Sequence, residues 1–411
     1  MKKVREGYKM TEIGEIPSEW KVKKLGEITI GKGEYGIGAS ATEYIEGKPR
    51  YLRITDIGDS CRLLFNDIKG LDDADYEKYI LKEGDIVFAR TGNTTGKGYV
   101  YNREHGELVY AGFLIKYSID NNIAKHNFIK YVIQSKRYWD WVNIMSTRSG
   151  QPGINSNEYS SFIVQLPPLK EQEKIASILS TVDEQIDNVD ALIEKNKELK
   201  KGLMQTLLTK GIGHTKFKKS EIGEIPEEWE VKKLECVFEI LDSMRKPIKA
   251  SDREKIEGDI PYYGASGVID WINDYIFDEE LILLGEDGEN LNSRNSDLAF
   301  KISGKTWVNN HAHVFRVINK KECNIDFMVY YLEAKDYSIY IAGSAQPKIT
   351  QAQCRKFLLP LPEKQEQDKI ASILLESDKK IEEYENKKQK LEELKKGLMQ
   401  QLLTGMIRVT V

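Results

Sequence analysis

The chain has 411 residues, 40% of them apolar and 31% charged, enough for two or three domains with cores of their own, which excludes a peptide scaffold and wholesale disorder. No apolar run approaches the roughly 20 residues that span a bilayer, and MKKVREGYKM lacks the apolar stretch of a signal peptide, so no membrane association and a cytoplasmic location are expected. The net charge of -4 runs against the basic balance usual for nucleic-acid binders, but it is unevenly spread: residues 86–155 hold nine basic against four acidic side chains, and residues 290–358 ten against five. A basic half of this kind is also what an ordinary solvated face produces.

Along the chain, Glu12–Leu25 (EIGEIPSEWKVKKL) opens the first unit. Gly84–Ala89 reads as a strand, and His126–Met145, with Phe128, Tyr131, Val132, Tyr138, Trp139 and Val142, as a helix. After Pro167 and Pro168 a seam of Ile175, Leu179, Val182, Ile186, Val189 and Ile193 steps by 4, 3, 4, 3, 4, the period of a coiled coil. The order then repeats. Glu221–Leu234 matches Glu12–Leu25 at 12 of 14 positions, with an offset of 209. LPEKQEQDKIASIL from Leu361 matches LPPLKEQEKIASIL from Leu166 at 10 of 14, and ELKKGLMQQLLT from Glu393 matches ELKKGLMQTLLT from Glu198 at 11 of 12, both at an offset of 195. In the second copy Leu281–Leu284 is the strand, Ile325–Ile341 the helix, and Ile370, Leu374, Ser377, Ile381, Tyr384, Lys388 and Leu391 a weaker seam. A period near 200 is too long for a solenoid of roughly 20–50-residue units and marks a duplicated domain.

The expected fold is α+β: globular units at 1–165 and 211–360, and spacer segments at 166–210 and 361–411, each holding a helix of about 39 residues or roughly 58 Å. A helix of that length with one apolar stripe is satisfied most simply by the other, giving an antiparallel coiled coil with pseudo-two-fold symmetry and one globular unit at each end.

Catalytic motifs fail on context. Gly31–Gly36 fits G-x-G-x-x-G but opens no helix, AFKISGKT (Ala299–Thr306) has the ending of a phosphate loop but reads as a hairpin turn, and in Gly92–Gly98 a glycine replaces the magnesium-binding hydroxyl. His311 and His313 have the spacing of a metal pair without a nearby Cys or Asp/Glu cluster, so hydrogen-bonding or base-contacting roles are expected. Cys61, Cys236, Cys323 and Cys354 form no C-x-x-C and read as reduced, mostly buried thiols. No catalytic constellation, cofactor site or metal site is expected in this chain.

Two unlike globular units alternating with two nearly identical helices, bounded by EIGEIPSEWKVKKLGE and EIGEIPEEWEVKKLE, LPPLKEQEKIASIL and LPEKQEQDKIASIL, KKGLMQTLLT and KKGLMQQLLT, resemble the specificity subunit of type I restriction-modification systems over the whole chain. The resemblance implies that each globular unit is a target recognition domain reading one half of an asymmetric, bipartite site in double-stranded DNA. It further implies that the helices set the spacer and dock two methyltransferase subunits, and that restriction/translocase subunits complete the assembly. S-adenosylmethionine, ATP and Mg would belong to those partners, whose methyltransferases flip an adenine for modification.

Arg90-Thr91-Gly92 stands where the second unit has Glu286-Asp287-Gly288, a charge reversal suited to guanine against cytosine. The polar loops Arg148–Pro152 and Ala342–Lys348 also correspond. The expected DNA contacts are Arg53, Arg90, Thr91, Thr94, Thr95, Lys97, Arg148 and Gln151 in the first unit, and Asn292, Arg294, Asn310, His311, Ser344, Gln346 and Lys348 in the second. Surface drift explains the Arg90/Glu286 difference, and a structural turn the two polar loops, equally well; the remaining residues are chosen on charge and loop position. The alternative for the whole chain is a coiled-coil scaffold with duplicated protein-binding domains; an autonomous DNA-modifying enzyme is disfavoured, because no N-P-P-[YF] or D-P-P-[YF] motif occurs.

Overall fold

The computed structural model of the chain describes residues 4–72, 75–147, 151–342 and 346–410. These fall into two compact units, residues 1–189 with 387–411, and residues 190–386. The division runs through both long helices, Leu169–Lys210 and Lys364–Leu402. Among the described residues no helix is long and apolar enough to cross a membrane.

In the first unit an antiparallel sheet has the order Thr29–Tyr35, Leu114–Ile119, Asp85–Ala89, Gly98–Val100. The expected strand is here, and its unbroken apolar run follows from burial on both faces. Ile86 and Phe88 join one core with Trp20, Tyr159 and Leu179, while Val87 and Ala89 join another with Leu52, Tyr99 and Leu108. The second unit repeats the order with Phe238–Ile240, Ala312–Val317, Leu281–Gly285 and Ala299–Ile302. It sorts its central strand in the same way, with Ile282 and Leu284 in one core and Leu281 and Leu283 in the other.

The near-identical segments are hydrogen-bond hubs. Trp20 donates its indole N–H to buried Glu171 (3.1 Å), which also accepts from Arg408 (2.7 and 2.9 Å). In the other unit Trp229 donates to Glu366 (3.0 Å), which is also met by His214 (2.9 Å) and the Ile212 amide (2.9 Å). Gln172 donates to the Pro167 carbonyl (2.8 Å) and accepts from the Lys125 amide (2.8 Å); Gln367 does the same with Pro362 and Asn324, at 2.8 Å each. Each pair ties the first turn of a long helix to its globular part.

The seam residues Ile175, Leu179, Val182, Ile186, Val189 and Ile193 are buried, as are Ile370, Leu374 and Ile381 of the weaker seam. Within the second unit Lys197 meets Glu385 (3.2 Å) and Lys200 meets Asp378 (2.5 Å), so the helices there run antiparallel. Within the first, Asp183 meets Lys395 (2.7 Å) while Ile175 shares a core with Leu402, again antiparallel. Asp183 and Asp378 also each accept from a tyrosine, Tyr131 (2.9 Å) and Tyr330 (2.5 Å), so the repeated lysines of the two KKG segments perform one task twice.

Three local expectations are corrected. The helix at 126–145 is two, His126–Val132 and Lys136–Ser146, because Ser135 caps the second by accepting from the Tyr138 amide. The helix from Ile325 ends at Ala334, where Arg294 donates to the carbonyls of Glu333 (3.4 Å) and Lys335 (2.6 Å) and Tyr337 to that of Leu332 (2.8 Å). AFKISGKT is a turn but not a hairpin: its two strands belong to different sheets, Lys305–Val308 pairing with Glu257–Gly264 and Phe277–Asp278.

Candidate nucleic-acid interface

Past the central strand of each sheet the chain enters a backbone cradle that is the same in both units. The Arg90 amide donates to the Phe113 carbonyl (3.0 Å), the Gly92 amide to Pro152 (3.1 Å), and the Ile154 amide to Arg90 (2.9 Å). In the second unit Glu286 donates to His311 (2.8 Å), Gly288 to Pro347 (3.1 Å), and Ile349 to Glu286 (2.8 Å). Thr91 bridges Gly153 as Asp287 bridges Lys348. The turn requires a left-handed residue, supplied by Gly92 at φ 74° and Gly288 at φ 102°.

Different side chains ride on this cradle. In the first unit Arg90 lies 4.9 Å over the ring of exposed Tyr35 and has no carboxylate partner among the described residues. Phe113 stands beside it, 58% exposed. Gln151 is exposed on the facing loop. In the second unit the corresponding rim carries His311, 47% exposed and donating from Nδ1 to Asp287 at 2.8 Å, with Lys348, 46% exposed, and Gln346 on the facing loop. Asn310 is exposed next to His311, and Asn292 on the short helix Asn290–Ser293.

Beneath the cradles the chemistry also diverges. The first rests on aromatic rings: Phe88 stacks on Tyr159 (centroids 4.8 Å apart), whose hydroxyl donates to Ala89 (2.8 Å) and accepts from the Gly96 amide (3.1 Å), while Tyr138 donates to the Gly96 carbonyl (2.7 Å). The second rests on charges. His313 donates from Nδ1 to Asp242 (2.7 Å) and from Nε2 to the Ile349 carbonyl (2.8 Å), and buried Glu286 accepts from Arg245 (2.5 Å) and Lys348 (2.9 Å). Burial works against a charged His313, but its hydrogen bonds to Asp242 and Cys354 outweigh it and raise its pKa to about 10. Burial likewise opposes the charge on Glu286, yet Arg245 and Lys348 hold its carboxyl below the usual range.

The acidic cluster that sequence reading missed around His313 is therefore Asp242 and Glu286. It is not built for a metal: both imidazole nitrogens carry protons, leaving no lone pair, and Arg245 and Lys348 neutralise Glu286.

A family model described as the type I restriction modification DNA specificity domain matches twice, at residues 17–199 and 226–393. The chain belongs to that family. The putative type I restriction enzyme MjaX specificity subunit of Methanocaldococcus jannaschii is 31% identical, over 98% of this chain and 97% of its own length. The MjaVIII specificity subunit of the same organism is 30% identical, over 98% and 96%. Among solved structures, the S subunit of a type I restriction-modification system from M. genitalium superimposes with a TM-score of 0.61 at 15% identity, covering 96% of this chain and 97% of that one, a likeness of fold.

Within this family architecture the expected contact residues separate. Arg90, Thr91, Gln151, Asn310, His311, Gln346 and Lys348 are brought together at the two cradles, with Asn292 close in sequence to the second. Others are spent inside the fold. Arg53 is bound by Asp56 through two nitrogens (2.7 and 3.1 Å) and by Asp67, and Arg294 caps a helix. Thr95 is buried, with its hydroxyl donating to Gly92 (2.7 Å), and the Thr94 hydroxyl is buried. Lys97 pairs with Asp59 at 3.0 Å. Arg148 and Ser344 lie outside the described residues.

Glu286 is no cytosine reader, because it is buried and engaged by two cations. The basic surplus of residues 86–155 is mostly cancelled at home: Lys97, Arg103, Lys116, Lys125, Lys130 and Lys136 all sit in ion pairs. Phe113, Tyr35 and Arg245 were missed. Aligning the halves on the strands Leu114–Ile119 and Ala312–Val317 would have set Phe113 opposite His311, but Tyr35 and Arg245 reach the cradles only through tertiary folding.

A cavity of about 1010 Å³ also opens in the first unit, lined among others by Cys61, Arg137, Trp139, Phe162, Lys396 and Met399. Burial pushes the Cys61 thiol up to about 12, which keeps it protonated and unreactive as a nucleophile. Of the other cysteines, Cys323 and Cys354 are buried and Cys236 is exposed; none is paired.

Proposed function

We propose that the chain is the DNA-specificity subunit of a type I restriction-modification complex, each cradle reading one part of an asymmetric, two-part site in double-stranded DNA. The observation that carries this reading is one backbone scaffold made twice with different side chains on its rim, which is what two unlike half-sites read by one duplicated domain require. In the first unit the guanidinium of Arg90, stacked on Tyr35 and without a carboxylate partner among the described residues, presents a donor fork that suits guanine O6 and N7, and Phe113 an apolar face for a thymine methyl. In the second, Gln346 and His311 offer polar tips, and Lys348, paired with Glu286, a half-exposed ammonium.

The matched hubs and the Asp–Lys–Tyr contacts repeat with the helices, which supports a common task for both ends: docking two identical methyltransferase subunits and fixing the distance between recognition domains. Restriction/translocase subunits would join the same assembly in the cytoplasm. S-adenosylmethionine, ATP and Mg would be bound by the partners, and this chain would supply targeting without catalysis.

The adenine methylome of the source cell with and without this gene tests the reading. Loss of one asymmetric two-part motif is expected, and an unchanged methylome from an active methyltransferase complex would favour a protein-binding scaffold. Inserting a helical repeat near Asn196 is expected to change the spacer of that motif.

A further inference from the structure

His311 stands at the rim of the second cradle with its ring nitrogens in unlike settings. Nδ1 lies 2.8 and 3.0 Å from the two carboxylate oxygens of Asp287, and because an ionised carboxylate only accepts, Nδ1 carries the proton. The backbone is pinned as well. Its amide donates to Asn309 Oδ1 (2.8 Å), and its carbonyl accepts from the Glu286 amide (2.8 Å). Asp287 is itself held by the bridge to Lys348, with its side chain only 14% exposed. Among the described residues Nε2 meets no partner, although the ring is about half exposed. Since the bond at one nitrogen sets the role of the other, the tautomer that keeps its Nδ1 proton on Asp287 carries its lone pair on Nε2, an acceptor on a rigid mount.

We propose that His311 is a specificity-determining residue of the second unit: Nε2 accepts a hydrogen bond from the exocyclic amine of an adenine or a cytosine in the major groove, and Asp287 is the positioning residue that fixes the tautomer. The inference rests on the DNA-reading function proposed above. Adenine N6 and cytosine N4 are the donors that base pairs show in that groove, whereas guanine O6 and thymine O4 would set two acceptors face to face. A fixed acceptor therefore separates adenine from guanine and cytosine from thymine. The first unit has Phe113 at the matched place, which makes no such bond, so the two half-sites would be read by different chemistry from one backbone position.

The test is selection of bound duplexes from a random-sequence pool by the full chain assembled with its modification subunits. The wild-type complex is expected to enrich a two-part motif. His311→Ala is expected to lose preference at one base pair in one half, with about tenfold weaker binding of the original site and the other half unchanged. His311→Gln, whose amide oxygen can accept, is expected to restore part of the preference, and Asp287→Asn to admit guanine or thymine at that pair.

An unchanged motif and affinity for His311→Ala would overturn the inference and leave DNA reading intact. A uniform loss across that half-site at an unchanged melting temperature would also overturn it, by assigning the ring to the mount. Failure of the wild-type complex to enrich any motif would overturn the function and the inference together.

Discussion

Beneath one cradle the first unit stacks Phe88 on Tyr159 and spends tyrosine hydroxyls on the backbone, whereas beneath the other the second unit assembles Asp242, His313, Glu286, Arg245 and Lys348. The strands are equivalent, Ile115 standing opposite Phe88 where His313 stands opposite Leu284. The two floors solve one problem. A loop that leaves the end of a buried strand must have its polar groups satisfied, and either aromatic hydroxyls or a closed set of ions can do it. Their vulnerabilities differ: aromatic packing responds to lost volume, while a buried ion set responds to the loss of any single charge.

The largest effect should come from His313→Ala, which leaves Asp242 buried without its partner and is expected to cost the second unit about 3–5 kcal/mol. Denaturant unfolding followed by hydrogen exchange would locate the loss, and equal weakening of both units would break the contrast.

The wild-type protein should show the same contrast against pH. Folded His313 keeps its proton to about 10, while the unfolded chain releases it near about 6.5. Its stabilisation is therefore whole below the lower value and lost as pH rises through the higher one. Asp242, with its carboxyl held below the usual range despite burial, sets the opposite edge: its contribution is lost on acidification below about 4. Exchange protection in the second unit should fall between neutral and alkaline pH before that of the first.

Tyr159→Phe removes one hydroxyl that serves both Ala89 and Gly96, and is expected to destabilise the first unit by about 1–3 kcal/mol. Arg90→Ala should relax base preference at one position of one half-site by about 1–3 kcal/mol, read by competition binding. Glu286→Gln should lower second-unit stability without changing which bases are preferred; a changed preference there would mean that the floor itself reads DNA. At the small end, Lys136→Ala, in an exposed pair with Asp140, should change neither stability nor binding measurably.

Much of the fold was legible because the repeated segments carry local, self-contained tasks. Trp20 and Trp229, Glu171 and Glu366, and Gln172 and Gln367 make the same bonds in both copies, so near-identity of sequence accompanies the same local contacts. Seam periodicity identified the long helices, since one buried stripe per helix is visible in spacing alone. Helix ends were less legible. The stop at Ala334 depends on Arg294, which is forty residues earlier in the chain.

The contact residues divide on the same physical line. Sequence by itself determined the duplication, one central strand in each unit, the two long helices, and the correspondence of Arg90-Thr91-Gly92 with Glu286-Asp287-Gly288, because periodicity, turn glycines and repeat register are properties of neighbours along the chain. Only the tertiary structure decided which charges are free. Arg53 is consumed by Asp67, Lys97 by Asp59, and Glu286 by Arg245, whereas among the described residues Arg90 is left to Tyr35 and His311 keeps one nitrogen open. Whether a charged side chain can reach a ligand depends on the partners that folding brings within about 4 Å of it, and those partners come from segments whose nearness no local pattern records.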